Sequence, residues 1–158
     1  MINKRTFIKK AVLEDIPEIM LIHKKCVLQI NAQVYPNNII QEWVAGINIK
    51  NIREQFKNSQ WFVIKVKEEM IGFFQFSFKE KTLYQINILP GYQKKNYGRL
   101  VYNFIEKKFL DNNIKEIYLN STLNALDFYK KLGFKELERI NFKLRKTSVE
   151  MVKMKKNL

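Results

Sequence analysis

The chain has 158 residues, 46% of them hydrophobic and 28% charged, a balance that suits one ordinary core; no apolar run approaches the roughly 20 residues a membrane-spanning helix needs. Its single cysteine, Cys26, excludes an intrachain disulfide, and Met1 to Lys10 alternates polar and apolar residues instead of opening on the apolar stretch of a signal peptide, so the expected compartment is the cytoplasm. The formal charge of +14 invites a nucleic-acid reading, but only five of the 29 basic residues are arginines and the lysines are scattered as pairs, which describes a solvated basic surface that attracts anions rather than a nucleic-acid groove.

Arg5 to Lys9 reads as an opening strand. From Glu14 to Ile30 the apolar positions Ile16, Ile19, Met20, His23, Val27 and Ile30 recur at helical spacing, and Asp15, Pro17 and Glu18 suit a first turn. Asn31 to Asn38 is expected as a loop. Two short helices follow, Ile39 to Ala45 and Ile49 to Phe56, separated by Gly46. The period then changes. Trp61 to Lys67 alternates, Met70 to Phe78 is rich in Phe, and the polar connection between them predicts a β-hairpin. Thr82 to Leu89 is a further strand, ended by Pro90 and Gly91. Gly98 to Leu110 returns to helical spacing, Lys115 to Asn120 is a strand, and Leu123 to Leu132 is a helix stopped by Gly133. Phe134 to Phe142 and Val149 to Lys155 close the chain as strands. The order β, helices, βββ, α, β, α, ββ predicts an α/β (mixed α+β) domain over residues 1–158. Its central sheet of about seven strands is mostly antiparallel, with helices on its faces and one parallel pair across the helix that follows Leu89.

Two stretches carry chemistry. In the first, Leu89-Pro90-Gly91-Tyr92-Gln93-Lys94-Lys95-Asn96-Tyr97-Gly98-Arg99-Leu100, a strand passes through a loop into a helix. Such a junction aims unpaired backbone N–H groups and the positive helix end at one point, which suits phosphate; Gly98 permits close approach, and Lys94, Lys95 and Arg99 add charge. In the second, Ser121 to Phe134, Thr122 is positioned to cap a helix on which Ala125, Phe128 and Tyr129 share a face.

Taken together and in this order, the two stretches resemble the GNAT superfamily of N-acetyltransferases. The family's phosphate loop, Gln/Arg-x-x-Gly-x-Gly/Ala, is matched by Gln93 to Gly98. Its later motif, Asn/Ser-x-x-Ala-x-x-Phe/Leu-Tyr-x-x-x-Gly-Phe, is matched by Thr122, Ala125, Phe128, Tyr129, Gly133 and Phe134. Asn96 replaces the first loop glycine, and Asn tolerates left-handed backbone angles better than most residues. Thr122 replaces Asn or Ser and keeps a capping oxygen.

The resemblance implies helices on both faces of the sheet, a splayed parallel pair, and transfer of an acetyl group from acetyl-CoA to a primary amine by direct attack, with no metal. It places the pantetheine arm against Ile86 to Ile88 and the pyrophosphate on the amides of Lys94, Lys95, Asn96, Tyr97, Gly98 and Arg99. Gln93, Thr122, Ala125 and Phe128 complete the cofactor set, and Tyr129 is both a contact and the general acid. No carboxylate stands on the strand from Thr82 to Leu89, where many relatives keep one. Tyr84, Asn87, a water relay, or Glu42 or Glu150 arriving from elsewhere stay open as the base. The lone His23 reads as a packed residue and Cys26 as core; Tyr35 and Trp43 flank the acceptor region. A small-molecule amine and a protein N-terminal or lysine amine are both admissible acceptors, and relatives are often homodimers. The alternative is an acyl-CoA-binding sensor without catalysis. Nucleic acid is disfavoured because most of the 21 aromatics fall at core-facing periods.

Overall fold

The computed structural model describes all residues from Met1 to Leu158. The elements run β1 (Thr6–Lys10), α1 (Ile16–Gln29), α2 (Asn37–Ala45), α3 (Ile49–Phe56), β2 (Gln60–Val66), β3 (Glu69–Ser77), β4 (Thr82–Ile88), α4 (Tyr97–Asp111), β5 (Glu116–Thr122), α5 (Leu126–Lys131), β6 (Lys135–Lys143) and β7 (Ser148–Asn157). The strands form one seven-stranded sheet in the order β1-β2-β3-β4-β5-β7-β6. Every pairing is antiparallel except β4 with β5.

Strand alternation splits the core in two. Trp61, Val63 and Phe73 point to the face covered by α1 to α3, where Ile16, Ile19, Ile22, Cys26 and Val27 of α1 bury their stripe. Ile64, Phe74 and Phe76 point to the opposite face, under Val101, Tyr102, Ile105 and Phe109 of α4. The phenylalanines expected to be internal are so: Phe62 stacks on Phe74 and Phe76 at 5.5 and 5.7 Å, and Phe104 meets its edge at 5.1 Å.

The parallel pair positions the site. β4 and β5 share a single registered pair, Thr82 with Tyr118, secured by the Tyr118 amide donating to Lys81 O at 2.8 Å. Glu116 clamps the same end, accepting from Lys81 at 3.0 Å and pairing with Lys155 at 2.9 Å. Beyond that point the strands diverge. One extra residue in β4, Tyr84, bulges between the pairs Leu83 with Phe76 and Gln85 with Gln75. Leu89 N donates to Ile71 O at 2.8 Å, so strand alternation turns the amides of Ile86 and Ile88 away from β3, toward the gap.

Two expectations are corrected in detail. The first helix starts at Ile16 rather than Glu14: residues 13–15 form a 3-10 turn in which the Asp15 carboxylate accepts from Val12 N at 2.9 Å. The helix expected from Leu123 is a 3-10 turn over 123–125 followed by the six-residue α5. Thr122 makes no side-chain cap, and the Leu123 amide donates to the Tyr35 hydroxyl at 3.0 Å.

Candidate active site

The junction between β4 and α4 ends in a run of backbone N–H groups with no partners of their own. Lys94 (φ 57) and Asn96 (φ 69) both take the left-handed conformation, so the substitution of Asn for the expected glycine is accommodated as Asn's tolerance predicts. The first helical bond of α4 runs from Leu100 N to Asn96 O at 3.0 Å; the six amides from Lys94 to Arg99 make no hydrogen bond within the chain. Gly98 lies against α5, and a Cβ there would stand 3.1 Å from Phe128 Cζ. Gln93 spends its side chain on the fold, donating through Nε2 to Ile88 O at 3.0 Å and fastening the loop to the end of β4.

A cavity of about 1050 Å³ opens at this loop, passes between β4 and β5, and continues under α1, α2 and the end of α3. Of the residues expected from sequence, Ile86, Ile88, Gln93, Lys94, Asn96, Gly98, Arg99, Thr122, Ala125, Phe128 and Tyr129 line it together. Lys95 and Tyr97 do not. Lys95 Nζ sits 5.9 Å from the centre of the Tyr92 ring, and the buried Tyr97 ring meets Tyr92 edge-on, its hydroxyl accepting from Asn3 N at 3.4 Å. Both reach the junction through their backbone amides alone.

Tyr129 is buried yet borders the cavity, and burial pushes its phenol well above the ordinary tyrosine range. It therefore holds its proton at any assay pH. The candidates for a base separate cleanly. Glu42 caps the β6–β7 turn, accepting from Lys146 N, from Thr147 N at 2.9 Å and from Thr147 Oγ1 at 2.6 Å. Glu150 pairs with Arg139 at 2.8 Å. Neither lines the cavity, whose one carboxylate is the exposed Glu54, bound to Lys57 at 3.0 Å. Tyr84 and Asn87 do line it.

His23, expected as a packed residue, also faces the cavity, with its ring edge-on to Phe73 at 5.6 Å. Burial lowers its imidazole to about 4, so it is neutral near pH 7. Cys26 is buried as expected; its thiol donates to Ile88 O at 3.4 Å and burial pushes it up to about 12. Trp43 lines the cavity, whereas Tyr35 braces it from behind, donating to Glu150 O at 2.6 Å.

Sequence reasoning missed Ser59, Gln55, Gln75 and Gln85, which join Asn87 in a hydrogen-bonded row along the cavity. The available signal was the run of polar residues Gln75, Gln85 and Asn87 on one face of two adjacent strands whose other face, with Phe74, Phe76, Ile86 and Ile88, is apolar.

Residues 31–158 match the family model for the acetyltransferase (GNAT) domain, and the chain belongs to that family. Among solved structures it is similar to a GCN5-related N-acetyltransferase from Rhodopseudomonas palustris, with TM-score 0.92 at 16% identity over 100% of this chain and 99% of that one. It is also similar to the PaiA N-acetyltransferase from Thermoplasma acidophilum in complex with coenzyme A, with TM-score 0.80 at 18% identity over 97% and 99%. A third likeness is to a spermidine N-acetyltransferase variant from Vibrio cholerae, with TM-score 0.67 at 19% identity over 98% and 95%. A search of curated proteins gives no match. At these identities the solved structures establish the fold, which is the GNAT fold. No helix is long and apolar enough to cross a membrane.

Proposed function

We propose that residues 1–158 form one N-acetyltransferase domain that moves an acetyl group from acetyl-CoA to a primary amine within a ternary complex. The observation that carries this reading is the run of six unpaired amides from Lys94 to Arg99, set at the mouth of a cavity that continues into the β4–β5 gap. Orphan amides at a helix N-terminus, with Lys94 and Arg99 beside them, suit a pyrophosphate. The amides of Ile86 and Ile88, facing a gap no strand fills, suit the amide groups of an extended pantetheine arm. The family match and the coenzyme A held by the Thermoplasma protein point the same way.

The co-substrate would supply an acetyl group already activated as a thioester. The chain's part is then to hold two reactants in line, to exclude competing water and to keep a proton near the departing sulfur. Tyr129 is the residue suited to that last task, because its burial keeps the phenol protonated. As the nitrogen–acetyl bond forms, the carbon–sulfur bond breaks; the sulfur takes a proton and the nitrogen gives one up, so no net proton is exchanged with the medium. Thr122, Ala125 and Phe128 would border the cofactor channel. A small amine and a protein amine remain the two acceptor classes, and the cytoplasm and a homodimer complete the reading.

The test is calorimetry of the purified protein with acetyl-CoA, followed by a thiol-release assay across a panel of primary amines. Micromolar binding is expected, and Gly98→Leu should weaken it at least about 30-fold by pressing on Phe128 and crowding the amide cradle. Absence of binding to the folded protein would remove the reading. Binding without turnover of any amine would leave an acyl-CoA sensor in its place.

A further inference from the structure

The acceptor half of the cavity carries an unusual feature: a row of three carboxamides that all donate in the same direction. Asn87 Nδ2 donates to Gln85 Oε1 at 2.7 Å, and Gln85 Nε2 donates to Gln75 Oε1 at 2.8 Å. Gln75 Nε2 donates to Ser59 Oγ at 2.9 Å and lies 3.4 Å from Gln55 Oε1. The direction is not arbitrary, because it is dictated from the far end. An indole N–H can only donate, so Ser59 Oγ must accept from Trp61 Nε1 at 3.0 Å. A backbone carbonyl can only accept, so the Ser59 hydroxyl must give its one proton to Gln55 O at 2.7 Å. Ser59 therefore has only a lone pair left for Gln75, which must present its NH₂. That sets the orientation of Gln75, which sets Gln85, which sets Asn87. The oxygen left over at the head of the row is Asn87 Oδ1. It has no partner in the protein, is not sealed from solvent, and belongs to a residue that lines the cavity on β4 between Ile86 and Ile88.

We propose that Asn87 Oδ1 receives an N–H of the incoming amine and so aims the nitrogen's lone pair at the acetyl carbon, with Ser59, Gln75 and Gln85 acting as positioning residues. The proposal rests on the acetyltransferase reading. Each amide that donates through its nitrogen becomes a stronger acceptor at its oxygen, so the row also strengthens Asn87 Oδ1. An uncharged acceptor holds a neutral amine without favouring the ammonium form as a carboxylate would. The surroundings are consistent with this: His23 is neutral, the carboxylates of Glu42 and Glu150 are committed elsewhere, and Glu54, the one carboxylate lining the cavity, is exposed and paired with Lys57. The site thus has a device for orienting a neutral amine in place of a device for deprotonating an ammonium. The acceptor class it suits is a primary amine with a low pKa, or one delivered neutral, rather than a polycation.

The test is a double-mutant cycle on Asn87→Ala and Ser59→Ala, read by kcat/KM for an amine turned over by the wild type and by calorimetric Kd for acetyl-CoA. Losing an oriented hydrogen bond in a desolvated site predicts a fall of about 10- to 100-fold in kcat/KM for Asn87→Ala. Ser59→Ala, which frees the row to turn over, should lose about 3- to 10-fold. The double variant should be no worse than Asn87→Ala, because the row acts only through its head. The Kd for acetyl-CoA should stay within about twofold in all three, which a general loss of structure would not allow. In the wild type, the acid limb of kcat/KM should move with the pKa of the amine used. An Asn87→Ala enzyme as active as the wild type, or losses that multiply in the double variant, would overturn the proposal and leave the transferase reading intact. If acetyl-CoA binds but no amine is turned over, both fall, and failure to bind acetyl-CoA at all removes the transferase reading itself.

Discussion

Replacing Gly72 by Ala tests the geometry on which the site depends. Gly72 sits in β3 opposite Ile88, and a Cβ at this position would lie 2.4 Å from Asn87 O, 2.8 Å from Ile88 Cδ1 and 3.1 Å from Ile64 Cγ2. The nearest atom is a backbone oxygen in a ladder, so it cannot swing aside as a side chain would. A carbon–oxygen contact needs more than 3 Å, and β4 must therefore shift by the better part of an ångström or the ladder must break. Overpacking of this kind costs about 1–3 kcal/mol. The Gly-to-Ala gain from a stiffer unfolded chain, about 0.4–1 kcal/mol, offsets only part of that. A net loss of about 1–2 kcal/mol in a chain of this length lowers Tm by roughly 2–8 °C. Gly91 is the control, since a Cβ there meets nothing within 4 Å, and Gly91→Ala should leave Tm unchanged or slightly raised. Thermal unfolding by circular dichroism reads both. The shift also moves Ile86 to Ile88 across the gap, so acetyl-CoA binding should weaken in Gly72→Ala beyond what lost stability explains. A Gly72→Ala protein with the wild-type Tm and the wild-type Kd would refute the claim that the close approach of β3 to β4 sets the gap.

Other tests address single groups. Tyr129→Phe should lower kcat by about 10- to 100-fold with the Kd for acetyl-CoA unchanged, and because burial raises the phenol, the wild-type profile should show no loss of this acid below about pH 10; an undiminished kcat would remove the acid role. Glu42, held below its usual range by the Thr147 hydroxyl and the amides of the β6–β7 turn, has its bound proton disfavoured in the fold. Its stabilisation is therefore present above the ordinary carboxylate pKa and is lost as pH falls through the lowered value. Thermal scans from pH 7 down to pH 3 should show a steeper decline for the wild type than for Glu42→Gln, and parallel declines would show that the turn does not depend on that carboxylate.

Much of this molecule was legible because local rules and tertiary packing agree. The α1 stripe, the alternation of Trp61 to Val66 and the helical spacing after Gly98 each place their apolar residues where the structure buries them. The left-handed Asn96 and Gly133 were readable from residue type alone. Disagreement arose where a distant group captured a backbone atom. Thr122 has the chemistry of a cap but makes none; the Leu123 amide is held by Tyr35, 88 positions away in sequence, and the α-helix begins only at Leu126. Lys95 and Tyr97 share a motif with their neighbours, but their side chains turn to Tyr92, because the left-handed residues Lys94 and Asn96 redirect the chain and not every side chain of the loop can point to one side. The carboxamide row was invisible for the same reason. It joins α3, β2, β3 and β4, and no local period links Gln55 and Ser59 to Asn87.

The distribution of charge along the cavity suits the proposed transfer to an amine even in a protein of net charge +14. Its lining cations, Lys94, Arg99 and Lys131, belong to the α4 junction and to α5, the end suited to an anionic cofactor. The side around Asn87 is lined instead by Asn, Gln and Ser, by the neutral His23 and by Trp43, and its one carboxylate, Glu54, is exposed and paired with Lys57. A like charge at close range would raise the energy of an ammonium, whereas a carboxylate would lower it and keep the nitrogen protonated. Uncharged amides do neither strongly. They leave the protonation equilibrium of the amine near its solution value and act only on the neutral form that arrives. The absence of a carboxylate from β4 is then consistent with catalysis, provided orientation at Asn87 replaces proton abstraction. The fixed polarity of the row from Trp61 to Asn87 is the physical means by which an uncharged group can keep one orientation in a cavity open to water.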